Sequence, residues 1–177
     1  MKIMVGSDHH GVRTRLNLLG FIRQCGHEVI DVGPTQENPE PVDYPDIAAK
    51  VAGAVSRGEI DRGILICGTG IGMSIVANKF PGVRAAPIVD ELSAEMSRRH
   101  NDLNVLCLSG DALSESTIDR LVAIWLKSEF AGGRHLRRNG RIAEIEAEQI
   151  AKNKKSKPVL VDAGLGSFAG PKGERLY

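Results

Sequence analysis

Cys67 stands where chemistry is easiest to arrange, between an apolar run, Ile64-Leu65-Ile66, and a glycine-spaced segment, Gly68-Thr69-Gly70-Ile71-Gly72. A short, uniformly apolar run reads as a strand buried on both faces, and the glycines break it before residues 74–78 resume helical spacing. Glycine permits positive φ and lets a ligand approach the main chain, while a starting helix offers unpaired N–H groups and the positive end of its dipole. A turn of this kind binds anions. The same field favours thiolate over thiol at Cys67, so the stretch reads as a base beside an oxyanion seat. Its plainer reading is a small buried hydrophobe, which is the reading kept for Cys25 and Cys107.

Three further polar stretches are candidates. Gly6-Ser7-Asp8-His9-His10-Gly11 places a short carboxylate and two imidazoles after a strand-like run. Asp8 there can accept from two hydroxyls or merely cap a turn. His100-Asn101-Asp102 ends a helical segment and offers a proton-transfer group, although a helix-terminal histidine is commonly a surface or capping residue. The densest basic cluster, residues 132–141, holds Arg134, His135, Arg137, Arg138 and Arg141. Arginine suits a forked contact with phosphate oxygens, but a basic run by itself reads as a solvated face.

The elements that must position these residues alternate. Strand-like runs fall at residues 2–6, 27–31, 64–66, 83–89 and 104–108. Helical spacing falls at 12–25, 46–56, 74–78, 91–99, 114–130 and 142–151. Short apolar strands alternating with helices predict an α/β fold, a parallel sheet with helices on both faces. Ligands of such folds bind at the carboxyl ends of the strands. Three polar loops are expected there, 7–11, 67–72 and, in its vicinity, 100–104, converging on one pocket. A proline-rich loop spans 33–45, and after residue 151 the chain reads as a tail, 152–177, able to pack on a partner. The expected domain is therefore 1–151. The 177 residues carry a net charge of +1, which gives no electrostatic case for nucleic acid. No run approaches the roughly 18 apolar residues of a membrane span, and the start of the chain does not read as a signal peptide. Three widely spaced cysteines with no CxxC pair read as reduced thiols, and a cytoplasmic protein is expected.

Four motifs, in order and at compatible spacings, resemble the type B ribose-5-phosphate isomerases, whose fold is shared by allose- and galactose-6-phosphate isomerases. They are Gly6-Ser7-Asp8-His9-His10-Gly11, Ile66-Cys67-Gly68-Thr69-Gly70-Ile71-Gly72, Arg99-His100-Asn101-Asp102 with Asn104-Val105-Leu106, and Gly132-Gly133-Arg134-His135 with Arg138. The similarity covers about residues 1–150. It implies a three-layer α/β/α Rossmann-like domain with a five-stranded parallel sheet. It also implies a homodimer, or a tetramer, whose sites draw on both chains, and no metal or organic cofactor. By the resemblance, Cys67 takes the C2 proton of ribose 5-phosphate on the way to ribulose 5-phosphate through a cis-enediolate. Thr69 and His100 open the furanose ring. Main-chain groups of Gly68, Gly70, Ile71 and Gly72 hold the enediolate oxygen. Asp8 and Asn101 orient hydroxyls. His9, Arg134 and Arg138 hold phosphate, with Arg134, His135 and Arg138 reaching in from the partner. His10 departs from the small or apolar residue common at its position. The alternatives are an isomerase of a six-carbon sugar phosphate such as allose 6-phosphate, an isomerase of an unphosphorylated sugar, a non-catalytic sugar-phosphate or nucleotide sensor, and thiol redox chemistry at Cys67. The absence of a GxGxxG turn and a P-loop lysine argues against nucleotide, and the lack of a nearby resolving cysteine against redox.

Overall fold

The computed structural model of the chain describes residues 1–35 and 42–153. In order these form β1 (Lys2–Ser7), a single 3-10 turn (His9–Gly11), α1 (Val12–Gln24), β2 (Glu28–Val32), α2 (Tyr44–Ser56) and β3 (Arg62–Cys67). There follow α3 (Ile71–Ala77), β4 (Ala85–Pro87), α4 (Glu91–Asn101), β5 (Val105–Ser109), α5 (Glu115–Lys127) and α6 (Arg134–Asn153). The sheet is parallel throughout, ordered β2-β1-β3-β5-β4. This is the predicted α/β/α domain.

The central strand shows why. Side chains of a strand alternate between faces, and on β3 both faces are apolar. Ile64 and Ile66 pack with Leu18 and Ile22 of α1, Ala94 of α4 and Trp125 of α5. Leu65 and Cys67 pack with Ile47 and Val51 of α2 and Met73 of α3. Neither face of β3 meets water, so truncating Leu65 or Ile66 to alanine costs about 2–5 kcal/mol. No helix among the described residues is long and apolar enough to cross a membrane.

Several boundaries differ from the sequence expectation. β4 holds three residues rather than the whole 83–89 run. It is an edge strand in which Pro87 has no N–H to give, and the Arg84 N–H goes to the Asn104 side chain at 2.8 Å. α3 begins at Ile71 rather than 74, directly behind Gly70. α2 begins at Tyr44 with Pro45 in its first turn, where a missing N–H costs nothing. Residues 36–41 of the proline-rich loop lie outside the described residues. α6 begins at Arg134 rather than 142, so the basic run is its first two turns, and Gly140 does not break it. It extends through Asn153, and residues 154–177 of the expected tail lie outside the described residues.

One expectation fails on topology. The register pairs Cys67 with Ser109 and Gly63 with Val105, so both strands end together at the Cys67 edge. α4 runs back against the sheet and delivers His100 and Asn101 just before β5 begins, where the Gly63 N–H donates to the Asn104 carbonyl at 2.9 Å. Four residue steps of about 3.3 Å, roughly 13 Å of sheet, separate the two edges. The loop 100–104 lies at the amino ends of the strands. It does not converge with loops 7–11 and 67–72 within one chain, because a right-handed crossover returns each helix to the opposite edge.

Candidate active site

Cys67 is the last residue of β3 and is only 5% exposed. The chain turns at once: Gly70 has φ 76°, and its N–H donates to the Cys67 Sγ at 3.1 Å. A side chain at Gly70 would bring its Cβ within 3.2 Å of the Leu108 main chain, so both conformation and space require glycine. α3 has only seven residues, so the fixed donor beside the sulfur matters more than the dipole of the helix. The strand ends around it are tied together. Asp8 N–H donates to the Ile66 carbonyl at 3.2 Å, Gly110 N–H to the Cys67 carbonyl at 2.8 Å, and the Ser109 hydroxyl to the Gly68 carbonyl. Cys107, one strand over, is fully buried, and burial pushes its thiol well up, with Cys67 adding to the effect. It stays protonated and is not the base.

A cleft of about 420 Å³ opens over this turn, lined by Asp8, His10, Tyr44, Cys67, Gly68, Thr69, Ile71 and Gly72. Asp8 is 5% exposed and caps the 3-10 turn, one carboxylate oxygen accepting from the His10 N–H at 2.9 Å. Burial raises the Asp8 carboxyl above its ordinary value, and the His10 N–H and the charges of His9 and His10 offset only part of that rise. Thr69 is exposed, its hydroxyl accepting from the Ile71 N–H at 3.3 Å. Gly72 is shaped by Tyr44, since a Cβ there would stand 2.6 Å from the ring. His10 approaches the Asp111 carboxylate at 3.3 Å through Nδ1. His9 is exposed and does not line the cleft. Tyr44 and Asp111 were missed in the sequence because each reaches the turn from a distant segment. The only local signal was the Tyr44-Pro45 pair closing the predicted proline-rich loop, just ahead of the helix expected from residue 46.

The remaining expected residues form a second cluster. The His100 and His135 rings stack, 4.1 Å between centroids and 4° between planes. His135 is buried, and Arg134 Nε approaches its Nε2 at 3.4 Å. Burial lowers the His135 imidazole from its ordinary value, and His100, Arg134 and Arg138 press the same way. Arg134, Arg138 and Asn101 are exposed, and neither arginine has an ion pair among the described residues. Arg141, read from sequence as a solvated face, pairs with Glu144 and Glu148 on its own helix. Asp102 ends α4 at φ 49°, unusual for a residue with a side chain. Its carboxylate is gripped by Arg98 at 2.7 Å and Arg84 at 2.9 Å, and Arg84 also donates to the Asn101 carbonyl at 2.9 Å. A larger hollow, about 560 Å³, lies between α4 and α5 beside the paired Glu95 and Arg99 and holds none of the residues singled out from the sequence as base or proton donor.

A strand-end cysteine under a fixed donor, sharing a cleft with a carboxylate at the carboxyl edge of a parallel sheet, defines the class: an α/β enzyme for a small substrate. The chain belongs to the ribose/galactose isomerase family, whose model matches residues 3–145. It is 43% identical to ribose-5-phosphate isomerase B of Escherichia coli over 82% of this chain and 96% of that protein. The structure of ribose-5-phosphate isomerase B from Clostridium thermocellum superposes with a TM-score of 0.79 at 49% identity, covering 84% of this chain and 99% of that one. The Mycoplasma genitalium enzyme, solved with bound ribulose 5-phosphate, gives 0.79 at 40% identity, covering 83% and 97%. The resemblance read from the four motifs is borne out.

Proposed function

We propose that this chain interconverts ribose 5-phosphate and ribulose 5-phosphate with Cys67 as the base. The observation that carries the reading is Sγ of Cys67 beneath the Gly70 N–H, in one cleft with Asp8 and Thr69. The open-chain aldose enters with C2 over the sulfur. The thiolate takes the C2 proton, the C–H electron pair becomes the C1–C2 double bond, and the former carbonyl oxygen carries the charge. Main-chain N–H groups of the turn 68–72 meet that charge, and such preorganised donors are each worth about 3 kcal/mol. The thiol then returns its proton to C1 while the C2 hydroxyl proton passes to the negatively charged C1 oxygen, leaving the neutral ketose and the thiolate. Asp8 accepts from the hydroxyls, with Asn101 as a second orienting group.

Ring opening needs an acid and base at the ring oxygen and the anomeric hydroxyl, the roles of His100 and Thr69. Phosphate needs Arg134, Arg138 and His135. His100 and the arginines cluster at the far edge from Cys67, so the site is completed by a second copy of the chain, which brings its α4 end and α6 to the Cys67 cleft. The exposed apolar residues Ile71 and Ile75 on α3 and Ile142 and Ile145 on α6 support such a contact, since isolated folds rarely leave such faces bare. His9, outside the cleft, is left as an accessory to the phosphate. Residues 1–151 make up the isomerase domain in this reading. Cys25, Cys67 and Cys107 are all free, which supports a reducing cytoplasmic setting.

The test is turnover of ribose 5-phosphate by wild type and by Cys67→Ser. Wild type is expected to turn over, and the variant to lose at least about a hundredfold in kcat, the scale of general-base work. Full activity of the variant would remove Cys67 from its role. An inert wild type that instead converts allose 6-phosphate would move the substrate to six carbons.

A further inference from the structure

We infer that His10, held by Asp111, recognises the hydroxyl chain of the sugar rather than its phosphate, and so tunes which sugar phosphate the site accepts. The inference rests on the isomerase reading and concerns a residue that reading leaves unused. Of the two adjacent imidazoles, whose centroids lie 4.5 Å apart, only His10 lines the cleft with Cys67 and Thr69.

Its placement is built on both sides. The His10 main chain is anchored by its N–H to Asp8 at 2.9 Å, and its ring by Nδ1 to the Asp111 carboxylate at 3.3 Å. With Nδ1 committed to the carboxylate, Nε2 is the nitrogen left for a ligand. The catalytic turn makes room for this arrangement. Any side chain at Gly68 would put its Cβ 2.8 Å from Asp111 Oδ2, so the glycine next to Cys67 is where Asp111 fits.

Charge decides between the two ends of the substrate. A phosphate at His10 would lie beside two carboxylates, Asp8 and Asp111, and like charges at that distance repel, even where solvent screens them in part. A sugar hydroxyl meets no such penalty. It meets Nε2 of His10, the ring nitrogen that faces away from the Asp111 carboxylate. The arginines suited to phosphate, Arg134 and Arg138, lie on α6, and neither has an ion pair among the described residues.

The experiment measures binding of ribose 5-phosphate and of inorganic phosphate, by calorimetry, to wild type, His10→Ala and Asp111→Asn. Each variant is first checked for an unchanged circular dichroism spectrum and thermal midpoint. Loss of one neutral hydrogen bond predicts about fivefold weaker ribose 5-phosphate binding in His10→Ala. Asp111→Asn, which keeps the shape and loses the charge, shifts the same way by roughly twofold. Inorganic phosphate binding stays as in wild type for both. Parallel weakening of phosphate would make His10 a phosphate ligand and overturn the inference, as would unchanged sugar-phosphate binding in His10→Ala. An effect at His10 with none at Asp111 would overturn the holding role. Binding does not require turnover. A wild type that binds ribose 5-phosphate without isomerising it therefore defeats the isomerase reading alone, whereas an active wild type with unaltered variants defeats this inference alone.

Discussion

Asp8 carries two duties that compete for one carboxylate. As a cap it holds the turn that presents His10, and as a ligand it must be ionised to accept from hydroxyls. Its buried position raises the carboxyl above the ordinary value. The sign follows: the native state holds this proton more tightly than the unfolded chain, so Asp8 favours folding at low pH, and that contribution is lost as pH rises through the raised value. For binding the direction is opposite, since the ionised form exists only above it. The acid limb of kcat/KM is expected to lie above the usual carboxylate range, and Asp8→Asn to lose that limb together with much of the activity. A pH–rate profile of both proteins checks this. At this scale Cys67 and Asp8 were legible because their signals are local, a glycine pattern and a strand end. Tyr44 and Asp111 were not, because what makes each of them part of the site is a neighbour far away in the chain.

The end of α4 is the element on which the second half of the site depends. His100 and Asn101 occupy its last turn, and Asp102 stops the helix in a left-handed conformation that only a few residue types tolerate. Arg98 and Arg84 supply the compensating contacts. Asp102→Asn retains tolerance of positive φ and part of the hydrogen bonding, whereas Asp102→Ala loses both and leaves the buried Arg98 and the partly buried Arg84 without their shared carboxylate. Alanine is expected to cost about 2 kcal/mol and asparagine clearly less, measured by urea unfolding. kcat should fall further in the alanine variant, where the last turn frays and His100 moves off His135. The sequence marked the helix and its polar end but not this clamp, since Arg84 reaches it from the edge strand. α6 shows the converse: its basic run read as a solvated face ahead of a helix at 142–151, yet the helix begins at Arg134, directly behind Gly132 and Gly133 at positive φ, and continues through Gly140, whose helix propensity is a weak local preference.

At the scale of the whole molecule, the Cys67 cleft and the His100 cluster lie on opposite edges of one sheet, and the proposed shared site makes a sharp prediction. Cys67→Ser and His100→Ala should each be inactive alone. Mixed, refolded together and allowed to exchange subunits, they should recover about a quarter of wild-type activity, because a C2 pair of one variant with the other contains one site built wholly of native residues. No recovery after verified exchange would place both residues in the same chain's site.

What the sequence determined by itself was everything carried by local pattern. The alternation of short apolar strands with helices implies a parallel α/β domain, since only burial on both faces suits such strands. The glycine spacing after Cys67 marks a turn where main-chain donors meet a ligand. The four motifs identify the family. What only the tertiary structure decided was which of these residues share a space. Parallel register and right-handed crossovers send the helices between strands back to the opposite edge, so His100 and the arginines of α6, which the proposed mechanism joins to Cys67, are distant from it in the fold. The same long-range geometry brings Tyr44 and Asp111 to the catalytic turn, through contacts that no spacing along the chain encodes.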